Sequence, residues 1–189
     1  MDLQRFSTGG GAVLDACVLY PTILREVLLD VAGAGLFAPV WSARILDEWH
    51  HAAARLGAAG DAVAGAEIAQ ARVRFPGAEV AADEGVALAY DLPDPGDRHV
   101  VAAALAAKAG LIVTANLRDF PRRALAPAGL EAVHPDAFLT ALWLRAPDAV
   151  AGAVHAAHGR AQALGSGMEL RAMMKRARLP RLGRAMARG

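Results

Sequence analysis

The residues best suited to chemistry in this chain are four acids, Asp15, Glu48, Asp97 and Asp119. Carboxylate oxygens are the ligands that hard divalent cations such as Mg²⁺ and Mn²⁺ prefer. Such a cation lowers the pKa of bound water and stabilises the leaving oxygen of a phosphoryl displacement. The sequence shows no serine triad and no phosphate-cradling glycine loop. The four acids therefore favour a metal site that hydrolyses a phosphodiester bond.

Asp15 interrupts the apolar run Ala12 to Leu19, which predicts a central parallel strand buried on both faces. A carboxylate inside such a strand is costly to desolvate unless a cation, a hydrogen-bond donor or the open end of the sheet receives it. We interpret Asp15 as the leading site residue, and acceptance of backbone donors is the structural alternative. Cys17, the single cysteine, lies in the same run and is expected to be a buried, inert thiol.

Glu48 lies in a second element, the predicted helix that follows the strand Leu36 to Trp41. Ser42 is expected to cap this helix, and Glu48 projects near the edge of its buried face. His50 and His51 lack the HExxH spacing of a zinc site, and adjacent helical residues point to different faces. Glu48 is therefore the candidate that this helix supplies.

The stretch Leu92 to Phe120 is predicted to bring the remaining acids to the sheet. Asp94 fits an N-cap before a helix that runs from Pro95 to Ala109, which leaves Asp97 as the chemical group. The strand Leu111 to Thr114 then runs into a polar loop containing Asn116 and Asp119. Ligands in open α/β sheets bind at the carboxyl ends of the strands. We therefore expect this loop to meet Asp15.

Composition and the other predicted elements indicate an α/β protein with a C-terminal helical extension. The chain is 55% hydrophobic with a mean hydropathy of +0.29, enough for a substantial core. No uncharged apolar run of membrane-spanning length and no signal peptide is present, so we expect a cytoplasmic protein without membrane contact. Further elements are predicted at Pro21 to Gly33, Glu79 to Ala82, Leu130 to Val133, Pro135 to Leu144, Pro147 to Ala163 and Glu169 to Arg178, with a break at Pro180.

Charge divides the chain into an acidic body and a basic tail. From Met168 onward there are seven basic residues and one acid, whereas the preceding 167 residues carry 13 basic and 18 acidic side chains. A basic tail suits contact with a polyanion, although a solvated, partly disordered terminus is an equal alternative. The RNA or partner contacts we expect are Arg171, Lys175, Arg176 and Arg178. Apolar contact with a partner could use Met168, Leu170, Met173, Met174 and Leu179.

Four motifs in order, VLDACVLYP, ILDEW, LPDPGDRHVVAAA and IVTANLRDF, resemble the PIN domain, and in particular the VapC-like toxin ribonucleases. The resemblance spans Ala12 to Leu142. It implies a three-layer α/β/α fold with a central parallel sheet of four to five strands. By motif the acids are Asp15, Glu48 and Asp97. Asn116 stands where many members have a fourth acid, which leaves Asp119 as the candidate for that place.

The resemblance also implies a function. It predicts a Mg²⁺- or Mn²⁺-dependent endoribonuclease that cleaves single-stranded RNA, the toxin of a type II toxin–antitoxin pair, with a small antitoxin partner and a homodimeric state. Asp15, Asp97 and Asp119 would bind the metal, with Asn116, Asp94 and Thr114 in support. The expected organisation is a flexible segment 1–10, a nuclease domain 11–146 and a helical extension with a basic tail at 147–189.

Two other functions are alternatives to the nuclease. A catalytically impaired PIN-like module would bind RNA or a protein partner without cleavage, and the uncharged Asn116 is compatible with such a module. A haloacid-dehalogenase-like phosphatase would need a second aspartate two residues after Asp15. Cys17 occupies that position, so the phosphatase interpretation fails.

Overall fold

Five short strands form one parallel sheet in the computed structural model, which describes residues 10–188 of the chain. In chain order they are β1 Gly11–Leu14, β2 Ala38–Ser42, β3 Glu79–Val80, β4 Leu111–Val113 and β5 Glu131–Val133. They lie side by side in the order β3-β2-β1-β4-β5, and each neighbouring pair is parallel. The predicted sheet of four to five parallel strands is confirmed.

Helices join the strands and cover the sheet, as parallel pairing requires. They are α1 Ala16–Leu19, α2 Thr22–Gly33, α3 Ala43–Ala54, α4 Ala58–Arg74, α5 Arg98–Ala106, α6 Arg122–Leu125, α7 Pro135–Arg145, α8 Pro147–Ala163, α9 Leu170–Arg176 and α10 Pro180–Met186. Short 3-10 turns occupy Glu84–Ala89, Pro95–Asp97 and Ala126–Ala128. Helix α3 packs on α4, α2 packs on α8, and α5 contacts β1, β2 and β4. This arrangement is the predicted α/β/α fold.

The central strand β1 explains why the first motif folds as it does. Ala12, Val13 and Leu14 are completely buried, because β2 and β4 flank the strand and helices cover its faces. The strand is shorter than the apolar run Ala12 to Leu19 predicts, because residues 16–19 form α1. The prediction that Asp15 lies within the strand is therefore wrong. Asp15 follows the strand at its carboxyl end, where a carboxylate can reach donors and solvent.

The C-terminal extension folds back onto the body of the protein. Helix α8 packs on α2 and α7, and α10 packs on α7. The predicted break before Pro180 is present, since α9 ends at Arg176 and this proline begins α10, where its missing N–H leaves no helical bond unmade. Helix α10, which follows the break, has no counterpart among the predicted elements. Met173, Met174, Leu179 and Leu182 are buried in the common core.

That burial corrects the predicted apolar partner surface. Met173, Met174 and Leu179 are covered by the chain itself, and Met168 and Leu170 are packed partly against the same core. The alternative of a solvated, partly disordered terminus is likewise not what the described tail shows. The basic side chains Arg171, Lys175, Arg176 and Arg178, in contrast, are exposed.

Two further predictions concern the N-terminal segment and membrane contact. The predicted flexible segment 1–10 lies outside the described residues except for Gly10. Among residues 10–188, no helix combines the length and the apolar character needed to cross a membrane.

Candidate functional site

Strand ends of the sheet place the site residues at one edge. Because Leu14 pairs with Val113 and Val113 pairs with Val133, the next residues of β1, β4 and β5 share one level. Those residues are Asp15, Thr114 and His134. Backbone hydrogen bonds continue the ladder there, since Asp15 N donates to Val113 O at 3.2 Å and Thr114 N donates to Val133 O at 3.0 Å. The carboxyl edge is therefore a row of polar side chains.

Asp15 is buried, with 7% of its surface exposed, and two side chains hold its carboxylate. Thr114 Oγ1 donates to Asp15 Oδ2 at 2.6 Å, and Cys17 Sγ donates to the same oxygen at 3.1 Å. Thr114 Oγ1 in turn accepts a hydrogen bond from the Asn116 backbone N–H at 3.0 Å. Both bonds from side chains go to one carboxylate oxygen, which leaves Oδ1 as the oxygen that a ligand could use.

Cys17 differs from its sequence prediction in position and in role. It lies on α1 instead of in a strand, and its sulfur accepts a hydrogen bond from the Ala115 backbone N–H at 3.2 Å while donating to Asp15. Burial, and then the charge of Asp15, raise the pKa of the Cys17 thiol to about 12. The thiol therefore stays protonated, as an inert thiol would, and acts as a hydrogen-bond donor to Asp15. No spacing rule in the sequence indicates this contact.

Asp97 stands between a 3-10 turn and α5, and Asp94 holds that turn. Asp94 Oδ1 accepts the Gly96 backbone N–H at 2.7 Å, so the predicted capping role of Asp94 is present. Asp97 occupies the N-cap position of α5 without capping it through its side chain. The helix predicted from Pro95 to Ala109 therefore begins as this turn and ends at Ala106, and the Asp97 carboxylate is not engaged by its own helix.

The electrostatics of Asp97 show which acids converge. Burial, and after it the charges of Asp15, Asp119 and Asp94 in that order, together raise the pKa of Asp97 to about 6, while His99 opposes them. Like charges raise a carboxyl pKa only when they lie close together. The fold therefore brings Asp15, Asp97 and Asp119 into one electrostatic group, which supplies the hard oxygen donors that Mg²⁺ and Mn²⁺ take.

Glu48, on α3, lies next to two basic side chains, His99 and Arg44. Its Oε1 lies 2.9 Å from His99 Nε2 and 3.6 Å from Arg44 Nε. His99 Nε2 lies within ion-pair distance of this oxygen without forming a well-directed hydrogen bond to it. Burial alone would raise the pKa of Glu48, but His99 and Arg44 lower it overall. Glu48 is therefore ionised near neutral pH.

Arg44 and His99 are contributors that sequence reasoning missed. The Arg44 guanidinium also pairs with Glu84 at 2.5 Å and donates to the Gly96 carbonyl oxygen at 3.3 Å, next to Asp97. It thereby links α3 to the 3-10 turns that contain Glu84 and Gly96. The i, i+4 spacing of Arg44 and Glu48 was a signal available in the sequence. His99 is 99% buried on α5, and nothing in the sequence pairs it with Glu48 on α3.

Asn116 and Asp119 share the loop after β4. The Asp119 backbone N–H donates to the Asn116 carbonyl oxygen at 3.0 Å, which closes the turn. Asn116 is exposed, whereas Asp119 is half-buried and close enough to Asp97 to raise its pKa. Asp119 is therefore the acid of this loop whose charge acts on Asp97.

The acids do not form a preassembled cage. Within residues 10–188, no group of three or more His, Cys, Asp or Glu side chains is arranged to hold a metal ion. The donor chemistry nevertheless fits a hard cation, since Mg²⁺ keeps several waters and needs few direct protein ligands. Two surface cavities of ≈ 400 and ≈ 240 Å³ lie elsewhere, and none of the four acids lines either of them.

Comparison with known families identifies this arrangement. A family model described as the PIN domain matches residues 11–118, more than half of the 189-residue chain. The chain belongs to the PIN domain family. The match contains Asp15, Glu48 and Asp97, and it ends one residue before Asp119. The C-terminal extension of this PIN domain protein lies wholly outside the match.

A curated relative adds a narrower likeness. A Mycobacterium tuberculosis protein named "Putative ribonuclease VapC50" is 56% identical to this PIN domain protein over 43 residues. Those residues are 23% of this chain and 25% of the relative, so the chain spans about a quarter of the length of the relative it matches. No solved structure matches the chain.

Proposed function

We propose that this protein is a divalent-metal-dependent endoribonuclease that hydrolyses single-stranded RNA. The observation that carries the proposal is the mutual repulsion at the carboxyl edge, where Asp15, Asp119 and Asp94 raise the pKa of Asp97. A cation that joins these carboxylates would offset the repulsion, and without it the site would repel a polyanionic substrate. PIN domain membership and the ribonuclease name of the relative support the same reaction.

The acids have two different roles in this proposal. Asp15, Asp97 and Asp119 would hold Mg²⁺ or Mn²⁺, which supplies an activated water and charge neutralisation at the scissile phosphate. Thr114 and Cys17 hold Asp15 through Oδ2 and direct its other oxygen outward. Glu48 is engaged through Oε1, which leaves Oε2 to accept a hydrogen bond from water or from a ribose hydroxyl. Asn116 supports the site through its backbone contact to Thr114.

The biological setting extends the proposal beyond the chemistry. We infer a toxin of a type II toxin–antitoxin pair, with RNA as substrate, a small antitoxin as partner and a homodimeric state. The domain boundaries 11–146 and 147–189 belong to the same proposal. A genomic neighbour encoding a short DNA-binding protein would support the toxin assignment, and its absence would count against that assignment without affecting the nuclease.

A second candidate function is an RNA-binding or partner-binding PIN module that does not cut. Two observations favour it. Asn116 stands exposed and uncharged in the loop that otherwise supplies an acid, and the described residues contain no preassembled ligand group. Cleavage assays separate the two candidates directly.

The test compares purified protein with two matched variants on single-stranded RNA and Mn²⁺. Asp15→Asn and Asp97→Asn should each lower the cleavage rate by about 100-fold or more, the usual effect of losing one preorganised electrostatic group at a reaction centre. Asp148→Asn makes the same chemical change on the exposed start of α8 and should cleave like the parent.

EDTA is the second arm of this test. It should abolish cleavage by the parent, and added Mn²⁺ should restore it. Equal cleavage by the parent and both site variants, or cleavage unaffected by EDTA, would refute the metal-dependent nuclease. Tight RNA binding without cleavage at any Mg²⁺ or Mn²⁺ concentration would support the non-cutting module instead.

A further inference from the structure

His134 extends the row of polar side chains past the acids. It follows β5 as Asp15 follows β1, at the same level of the sheet and with β4 between them. Neighbouring strands lie ~4.8 Å apart, so the His134 and Asp15 backbones are separated by ~10 Å. Residues in register on parallel strands project to the same face, which puts His134 on the side where Thr114 meets Asp15.

The C-terminal extension delivers two arginines to His134. Arg178 and Arg181 lie close enough for their charges to act on its imidazole. Both side chains are exposed, and neither makes an ion pair within the described part of the chain. These two arginines lie near the carboxyl edge of the sheet and have no acidic partner in the described part of the chain, so they are available for an anionic ligand.

Asp136 fixes this placement. Its buried carboxylate accepts the Arg181 backbone N–H at 2.9 and 3.1 Å and the Leu182 backbone N–H at 2.9 Å. The first turn of α10 is thereby attached to the first turn of α7, which begins directly after His134. The Asp136 carboxylate is held by these backbone donors, and it makes no ion pair with either arginine side chain in the described part of the chain.

His134 presents a donor to the same space. Its Nδ1 accepts the Asp136 backbone N–H at 3.2 Å, which places the proton of the neutral ring on Nε2. Burial lowers the pKa of His134; the charge of Asp136 opposes this, and Arg178 and Arg181 lower it further. The ring is therefore neutral at pH 7 and offers an Nε2–H beside two guanidinium groups.

We propose that His134, Arg178 and Arg181 form a binding site for a backbone phosphate of single-stranded RNA, next to the phosphate that is cut. The proposal rests on the proposed nuclease function and names the part of the protein that holds its substrate. Arginine guanidinium groups bind phosphate through paired N–H donors. The separation of ~10 Å between the His134 and Asp15 backbones puts this site along the sheet edge from the acids, so it suits a phosphate other than the scissile one.

The test measures RNA binding separately from cleavage. Binding of a fluorescent single-stranded RNA is followed by anisotropy with Mn²⁺ present, using the full chain carrying Asp15→Asn so that cleavage is slow. Arg178→Gln with Arg181→Gln should weaken binding about tenfold and lower the slope of log affinity against log salt by about 1.4, because two phosphate contacts are lost.

A matched control removes two charges at the opposite edge of the sheet. Lys108 is exposed and has a φ of 51°, close to the 57° of Arg178, and it lies three residues before the start of β4. Arg55 is exposed at the end of α3, a 12-residue helix that runs about 18 Å away from the carboxyl edge. Arg55→Gln with Lys108→Gln should leave binding and its salt slope close to the parent values.

The site would be overturned if RNA binding fell equally in the two double variants, or if Arg178→Gln with Arg181→Gln left RNA binding unchanged. Lack of RNA binding by the parent would overturn it as well. Selective loss of binding to a polyglutamate peptide, with RNA binding unchanged, would assign the arginines to an acidic protein and also overturn it. If the parent binds RNA through these arginines but never cleaves it, the site stands and the nuclease function fails.

Discussion

Asp15 and Asp136 are both buried aspartates at the start of a helix after a strand of the same sheet, and they differ in what surrounds their oxygens. Asp136, 3% exposed, accepts backbone N–H groups on both oxygens from the first turn of α10. Asp15, 7% exposed, accepts side-chain donors on one oxygen and faces the charges of Asp97 and Asp119. Both oxygens of Asp136 are satisfied by backbone donors, whereas the side-chain donors at Asp15 engage only Oδ2.

The difference shows how burial should be interpreted at this edge. A buried carboxylate whose hydrogen bonds are all made by backbone stabilises the structure. A buried carboxylate that repels its neighbours costs stability, and such costs concentrate at functional sites. Glu48 lies between the two cases, since His99 and Arg44 offset its burial through Oε1. The three acids can therefore be ordered from structural to functional by their partners alone.

Asp136→Ala is the variant that should separate the two aspartates most clearly. It leaves the Arg181 and Leu182 N–H groups without acceptors and should lower the free energy of unfolding by about 2 kcal/mol. Asp136→Asn, which keeps an acceptor, should recover part of this loss. Asp15→Asn should cost less stability than Asp136→Ala, because it relieves repulsion with Asp97. Chemical denaturation measures all three, and an equal loss for Asp15→Asn and Asp136→Ala would remove the distinction.

Arg44→Gln should weaken the intermediate case, Glu48. Supporting partners of reactive groups typically contribute 10- to 100-fold, and we expect kcat to fall about tenfold with little change in KM. Because Arg44 helps to lower the pKa of Glu48, the acid limb of the pH–rate profile should move to higher pH. Arg44→Lys should retain part of the rate, since it keeps the charge without the fork. Unchanged kcat and an unchanged pH profile would show that Arg44 is only a surface ion pair.

The effect of Asp97→Asn on stability should be the smallest of these changes. We expect a gain in the free energy of unfolding of the metal-free protein. The pKa of Asp97 is raised to about 6, so the folded state binds its proton more tightly than the unfolded state does. The cost of the charged form therefore grows as the pH rises from about 4 to about 6 and is constant above that range. After discounting for solvent screening at this half-exposed group, we expect a gain of about 1 kcal/mol or less at pH 7.5.

Thermal unfolding at two pH values checks this prediction. The melting temperature of Asp97→Asn should exceed that of the parent at pH 7.5, and the difference should vanish near pH 4, where the carboxyl is protonated in both states. Asp148→Asn supplies the control on an exposed helix start. A lower melting temperature for Asp97→Asn at pH 7.5 would mean that Asp97 is satisfied like Asp136 and is not part of a repelling group.

Local patterns in the sequence were sufficient to predict most of the strands and helices. The apolar runs predicted the strands that became β1, β2, β4 and β5, and Pro147 to Ala163 predicted α8 with its observed bounds. Ser42 and Asp94 cap their helices as their positions indicate, because capping is decided by a few neighbouring residues. The length of β1 was misjudged and helix α10 was not predicted, since neither depends on local preference alone.

Sequence by itself determined which residues could bind a cation, because Asp15, Asp97 and Asp119 each follow or precede an element whose pattern is local. Only the tertiary structure decided which acids repel one another, that Arg44 and His99 support Glu48, and that Asp136 ties a basic tail beside His134. The physical reason is that charge interactions and buried hydrogen bonds depend on distances between elements far apart in the chain. Those distances are set by sheet order and packing, which no short stretch of sequence contains.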